Sequence, residues 1–224
     1  MVPLHKVYMP DDINLEISEV LSSGNLGYGS YSKSFEKKIR EFIGNELTIA
    51  ISGNSVLFAL KLLDIKEGDE IIASPMSCLM TTQPAAICNA NIIWADIDPK
   101  TGTLDPDDIK SKLTSKTKAI IHYHWAGYPG HIDEINLIGR ENGVKVIEEA
   151  GMAFGSEYKY NNKFYKVGSC KHVDISTFSL HPLKTITSGE GGIVTTNNSK
   201  ISKNIKLFRS HGIIRNRKKY WQYY

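Results

Sequence analysis

The chain has 224 residues, 41% of them hydrophobic, and a formal net charge of +3, so it can bury one sizeable core. No apolar run approaches a membrane span, residues 1–6 do not resemble a signal peptide, and the three cysteines form no CxxC pair. These features favour a soluble, cytoplasmic protein that does not act at a membrane. The densest basic cluster (Arg215, Arg217, Lys218 and Lys219) is more typical of a solvated face than of a nucleic-acid site, although it could also meet a diphosphate.

Apolar residues alternate between helical and strand spacing along the chain. A helix is predicted to start at residues 10–12, and a second apolar stripe at helical spacing ends at Gly44. The predicted strands cover 47–51, 70–73, 92–95, 119–123, 145–149, 173–180 and 193–196. The other predicted helices cover 55–63, 80–89, 105–113, 131–141 and 201–208. This order predicts an α/β domain with a mostly parallel central sheet, whose ligands would bind at the carboxyl ends of the strands.

Lys184 lies just beyond one of these strands, and the glycine-rich turn Gly189-Glu190-Gly191-Gly192 follows it. A lysine held at a strand end can lose water, which lowers its pKa and allows its amine to form a Schiff base with a carbonyl. Taken alone, a surface lysine in a loop is the simpler interpretation.

The motif around Lys184 favours the Schiff-base interpretation over a surface lysine. The run Phe178-Ser179-Leu180-His181-Pro182-Leu183-Lys184, together with the Gly-Glu-Gly-Gly turn, closely resembles the lysine segment of the DegT/DnrJ/EryC1/StrS family of sugar aminotransferases. The likeness extends from Phe35-Glu36 through Gly68-Asp69-Glu70 to His211-Gly212. It implies a three-layer α/β sandwich of fold-type I, with residues 1–224 forming the large, cofactor-binding domain and its N-terminal arm.

The same resemblance implies the chemistry. The cofactor is expected to be pyridoxal 5'-phosphate, and Lys184 the residue that carries it. The expected reaction moves an amino group from an amino acid, glutamate, to a keto nucleotide sugar for amino sugar or surface polysaccharide synthesis. The expected assembly is a homodimer. The family's smaller C-terminal domain, with its Asn-Tyr-Arg-like segment, is expected to be absent, which would leave the chain incomplete as a catalyst.

Further site residues are assigned by the resemblance. Gly53, Asn54 and Ser55 lie between a strand and a helix and are candidates to bind the cofactor phosphate, although Asn and Ser are also ordinary helix caps. Ser179 is the second phosphate candidate. His181 and Glu190 are expected to line the substrate pocket.

Three positions depart from the family pattern. Of the two carboxylates that end the strand at 145–149, only one can face a given site. The family has an aspartate that pairs with the cofactor's ring nitrogen, where this chain has Glu149. Since glutamate is one methylene longer, either the ring shifts or the side chain folds back. Met152 stands where many relatives have glutamine, and Leu79 takes the place of an aromatic residue stacked on the ring.

Other interpretations stay open at this point. His122 and His124 share a strand face, but no third ligand is evident, so no metal is expected and a structural or site-lining role is favoured. Cys78 has no evident base beside it. A related sugar dehydratase is an alternative, although such relatives carry histidine in place of the lysine. The departures at Glu149, Met152 and Leu79 also permit an inactive homologue that serves as a binding or assembly partner.

Overall fold

The computed structural model describes residues 6–216 and 219–223, with side chains up to Ile213, and helices and strands alternate along most of this part. The helices are α1 (Ile13–Ser22), α2 (Ser30–Ile43), α3 (Ser55–Leu62), α4 (Leu79–Ile87), α5 (Pro106–Lys112), α6 (Ile132–Glu141) and α7 (Ser199–Arg209). The strands are β1 (Thr48–Ile51), β2 (Glu70–Ala73), β3 (Asn91–Trp94), β4 (Thr117–Tyr123), β5 (Lys145–Glu149), β6 (Glu157–Tyr160), β7 (Lys163–Lys166), β8 (Ile175–Ser179), β9 (Gly192–Thr196), β10 (Ile213–Asn216) and β11 (Lys219–Tyr223).

Seven strands form the central sheet, in the order β1-β9-β8-β5-β4-β2-β3. The pairs from β8 to β3 are parallel, whereas β9 runs antiparallel to both β8 and β1. Because only β9 is reversed within this sheet, its first residue lies at the edge where the other six strands end. The segment between β8 and β9, residues 180–191, therefore stays at that carboxyl edge.

Helices cover both faces of the sheet, and this confirms the predicted three-layer architecture. Adjacent strand residues enter different cores, as the side-chain alternation of a strand requires. In β5, Val146 packs in the core that includes residues of α2, α5 and α6, and Ile147 packs in the core that includes residues of α3, α4 and α7. A parallel sheet covered on both faces explains why most residues of its inner strands β4, β5 and β8 are buried, rather than every second one.

Two features were not predicted. Strands β6 and β7 form an antiparallel hairpin outside the main sheet, closed by Asn161 and Asn162, both with positive φ. Each of these strands has only four residues, which is too short for a clear periodicity, and the Asn-Asn turn was the available signal for the hairpin. Strands β10 and β11 also pair with each other. The side chains of the basic cluster at 215–219 lie outside the described residues. None of the described helices has the length and apolar character needed to span a bilayer.

Candidate active site

Lys184 lies in the segment between β8 and β9, at the carboxyl edge of the sheet. Its backbone N–H donates to the His181 carbonyl over 2.9 Å, which holds the segment in a tight turn. The side chain is half-buried, and Nζ lies 3.5 Å from Sδ of Met152, in the loop after β5. The structure thus brings together two residues that the sequence places 32 positions apart.

Glu149 ends β5 and is only 6% exposed. Its Oε1 accepts a hydrogen bond from the Gly151 N–H over 3.0 Å, and its Oε2 a longer one from the Thr81 hydroxyl over 3.4 Å. Both donors are uncharged. Burial raises the pKa of the Glu149 carboxyl, and the opposing influence of the Gly151 hydrogen bond and the Lys184 charge does not cancel that rise. The side chain has folded back toward its own loop, one of the two outcomes expected for a glutamate here.

Glu148 points to the other side of the strand. Its Oε1 lies 3.0 Å from Nε2 of His124, and its Oε2 accepts from the Gly168 N–H over 2.9 Å and from the Ser176 hydroxyl. Burial raises the pKa of Glu148, but these contacts outweigh burial and bring its pKa below the ordinary value. Glu148 is therefore satisfied inside the protein, and Glu149 is the carboxylate of the pair that is placed at the sheet edge.

The side chains of the turn before α3 already make hydrogen bonds within the protein. Oδ1 of Asn54 caps the helix by accepting from the Val56 and Leu57 N–H groups at 2.9 and 3.0 Å. The Ser55 hydroxyl is buried and donates to the Phe178 carbonyl over 3.1 Å. Gly53 has φ +119, which favours glycine. What this turn can offer a phosphate is therefore backbone N–H groups and the helix N-terminus.

Ser179 lies beside that turn. It ends β8, and its half-buried hydroxyl accepts from the His181 N–H over 3.3 Å, which leaves the hydroxyl proton free to donate. The preceding residue, Phe178, is the partner of Ser55. A Cβ on Gly192 would lie 3.0 Å from the Ser55 Cβ, so β9 also approaches this point closely. The two candidate phosphate contacts, far apart in sequence, are neighbours in the fold.

The remaining predicted residues are open to solvent at or near this edge. Leu79 is 71% exposed in the first turn of α4, the helix that also supplies Thr81. His181 is exposed, and its Nδ1 accepts from the Leu183 N–H over 3.3 Å. Glu190 is exposed in the turn before β9, where its carbonyl accepts from the Ser188 hydroxyl.

His122 in β4 and His124 just after it are both buried in the interior. His122 Nε2 lies 2.7 Å from the Pro129 carbonyl, and burial, with the nearby His124, lowers its pKa to about 3. His122 is therefore neutral at physiological pH. Among the residues that the structure describes, no group of three potential metal ligands is found.

Three residues of the site were not predicted from the sequence. Thr81 and Gly151 donate to Glu149, and Tyr123, buried at the end of β4, has its pKa raised to about 12 by burial and by the Glu149 charge. Tyr123 and Gly151 lie at or just after the end of a strand, which was the available signal for them, whereas Thr81 lies in the first turn of α4. Which of them meet the Glu149 carboxylate depends on strand order, which the local pattern does not contain.

Residues 8–224 match the model of the DegT/DnrJ/EryC1/StrS aminotransferase family, and the chain belongs to that family. Aminotransferases of this family depend on pyridoxal phosphate. An uncharacterized protein of Methanocaldococcus jannaschii is 37% identical over 207 residues, which are 92% of this chain and 52% of that protein. This chain thus spans about half the length of that relative.

Solved structures agree with this assignment. The sugar aminotransferase CalS13 from Micromonospora echinospora is 28% identical, with a TM-score of 0.89 over 99% of this chain and 62% of its own. NtdA from Bacillus subtilis, solved with bound cofactor PMP, is 28% identical, with a TM-score of 0.84 over 94% of this chain and 47% of its own. These similarities confirm the fold-type I architecture.

The residues at the sheet edge fit this cofactor. A buried carboxylate bonded only to neutral donors is costly, and a cationic ring N–H would relieve that cost. Glu149 is such a group, and the Lys184 charge acts on it. A helix N-terminus and the Ser179 hydroxyl supply donors for a phosphate.

Proposed function

We propose that this chain binds pyridoxal phosphate and serves in the transfer of an amino group from an amino acid, glutamate, to a keto nucleotide sugar. The family and the structural neighbours, several of them sugar aminotransferases, support the reaction class. The nucleotide-linked substrate, a role in amino sugar or surface polysaccharide synthesis, and a cytoplasmic homodimer are parts of the proposal.

The observation that carries the proposal is that Lys184 and Glu149 lie at the same edge of the sheet, where Nζ of Lys184 is 3.5 Å from Sδ of Met152 in the loop that follows Glu149. Lys184 is a half-buried amine and Glu149 is a buried carboxylate. The lysine charge opposes the rise in the pKa of Glu149 that burial causes. An amine nucleophile and an anion for the ring nitrogen are the two groups that this cofactor requires from the protein.

Each residue then has a role. Lys184 would hold the cofactor and, once released by the amino substrate, move a proton at the substrate carbon that bears the nitrogen. Glu149 would keep the ring nitrogen protonated. Ser179 and the N–H groups of the turn at 53–55 would hold the phosphate. The bound cofactor supplies an electron sink for the carbon being deprotonated.

Substrate recognition would fall to the exposed residues near this edge. His181 and Glu190 offer polar groups for a sugar, and Leu79 and Met152 offer apolar contact to the cofactor ring. Since Leu79 lacks an aromatic face, its contribution would be burial of ring area without stacking.

Titration of the purified protein with pyridoxal phosphate tests cofactor binding. We expect a red-shifted visible absorbance band in the wild type and in Lys200→Ala, a control at an exposed lysine of α7. The band should be absent in Lys184→Ala. Equal spectra for all three proteins would contradict the assignment. Conversion of glutamate to its keto acid, dependent on a keto nucleotide sugar, tests the substrate class, and conversion with unlinked keto sugars alone would refute it.

A further inference from the structure

Gly151 follows β5 by two residues and is in direct contact with Glu149. Its N–H donates to Glu149 Oε1 over 3.0 Å, so the carboxylate lies over the glycine. A Cβ built on Gly151 would lie 2.7 Å from the same oxygen, closer than real Cβ contacts permit. The folded-back glutamate therefore occupies the space that any other residue at 151 would need.

The usual reasons for a glycine do not apply at this position. The φ angle of Gly151 lies outside the left-handed region, so an L-residue could adopt its backbone conformation. The nearest atoms to the added Cβ are all side-chain atoms, of Glu149 and, at an ordinary 3.5 Å, of Ser179. Gly127 differs, because it has φ +85 and its Cβ would meet the Met152 carbonyl at 2.7 Å. The backbone requires a glycine at 127, whereas at 151 the carboxylate requires it.

We propose that Gly151 is a positioning residue, which makes room for the longer glutamate and fixes its carboxylate with its N–H. This rests on the proposed function, in which the Glu149 carboxylate meets the cofactor's ring nitrogen. In Gly151→Ala the carboxylate has to leave its place and lose the 3.0 Å hydrogen bond. Because the end of a side chain moves rather than the backbone, the fold should survive.

A double-mutant cycle tests this coupling. It compares wild type, Gly151→Ala, Glu149→Asp and the double variant by their dissociation constants for pyridoxal phosphate. With glutamate at position 149, we expect Gly151→Ala to weaken pyridoxal phosphate binding about tenfold. With aspartate at position 149, which is one methylene shorter, the same change should weaken binding less than about threefold. Gly27→Ala is the control, because its added Cβ meets nothing within 4 Å. Equal losses in the two backgrounds would overturn the positioning role.

A cofactor-free measurement separates this inference from the proposed function. With ¹⁵N-glycine labelling, the Gly151 amide resonance should shift with pH as Glu149 ionises, and the shift should vanish in Glu149→Gln. In Gly151→Ala, the amide at the substituted position, observed with ¹⁵N-alanine labelling, should titrate with a smaller amplitude. A titrating Gly151 amide in a protein that does not bind pyridoxal phosphate would support the positioning role and refute the cofactor proposal. An amide that does not titrate would refute the positioning role.

Discussion

Glu148 and Glu149 are adjacent in β5, yet their carboxylates lie on opposite sides of the sheet. Glu148 lies 3.0 Å from His124 Nε2 and also accepts from the Gly168 N–H, whereas Glu149 accepts from Gly151 and Thr81. One carboxylate has its pKa lowered by these partners and the other has its pKa raised by burial. The two residues should therefore respond differently to the same substitution.

We predict that Glu149→Gln loses cofactor affinity and activity far more than Glu148→Gln does. A neutral amide cannot keep the ring nitrogen protonated, and loss of a charged hydrogen bond corresponds to about tenfold or more in affinity. Glu148→Gln should instead lower the free energy of unfolding by about 2 kcal/mol, because it replaces a buried carboxylate that accepts hydrogen bonds from the Gly168 N–H and the Ser176 hydroxyl. Equal activity losses in the two variants would contradict the assignment.

The raised pKa of Glu149 adds a pH-dependent expectation for the cofactor-free protein. A carboxyl whose pKa is higher in the folded than in the unfolded state destabilises the fold once pH exceeds the unfolded value. Glu149→Gln should therefore be at least as stable as wild type at about pH 8 and should lose any advantage near pH 4, around the carboxyl's unfolded value. Denaturant unfolding at the two pH values measures this, and lower stability of the variant at the higher pH would oppose it.

Lys184 should be the residue labelled when the protein is mixed with pyridoxal phosphate and reduced with borohydride. The turn between His181 and Lys184 holds it at the sheet edge near Glu149. Peptide mapping by mass spectrometry should place the label on Lys184 in wild type. A label scattered over several lysines, and unchanged in Lys184→Ala, would favour a non-catalytic chain.

Asn54 allows helix capping and phosphate binding to be separated. Asn54→Asp keeps an oxygen that can accept from Val56 and Leu57 but loses the amide that donates to the Met80 carbonyl over 2.9 Å, so it should lower the free energy of unfolding by about 1 kcal/mol. Its negative charge should weaken cofactor affinity about tenfold. Asn54→Ala should lower the free energy of unfolding by about 1 kcal/mol. Asn198→Asp, which changes the equivalent cap of α7, is the matched control and should leave cofactor affinity unchanged. Equal cofactor affinity of Asn54→Asp and wild type would show that the phosphate does not bind at this turn.

His122 should make stability depend on pH between about 5 and 7. Its folded-state pKa of about 3 lies below the ordinary value of 6.5, so only the unfolded chain takes up this proton as pH falls through that range. The expected loss across this window is about 2 kcal/mol. His122→Gln, which keeps a donor for the Pro129 carbonyl, should be less stable at neutral pH but show a smaller loss. Parallel pH curves for the two proteins would show that His122 is not the cause.

The alternation of elements and the lysine motif could be predicted because they are local. Strand β5 was predicted with its observed bounds, 145–149, and β2 likewise, since apolar runs between helical patterns define them. The segment from Phe178 to Gly192 placed Lys184 after a strand and before a glycine turn, where the structure has it.

The contacts of the site could not be read from such patterns, because they join distant parts of the chain. Ser55 donates to Phe178 across 123 positions, and Thr81 donates to Glu149 across 68. The sequence by itself determined the layered α/β fold and the residue types at the strand ends. Only the tertiary structure decided that Glu149 folds back over Gly151, because its orientation depends on the space and donors that packing leaves around a buried carboxylate.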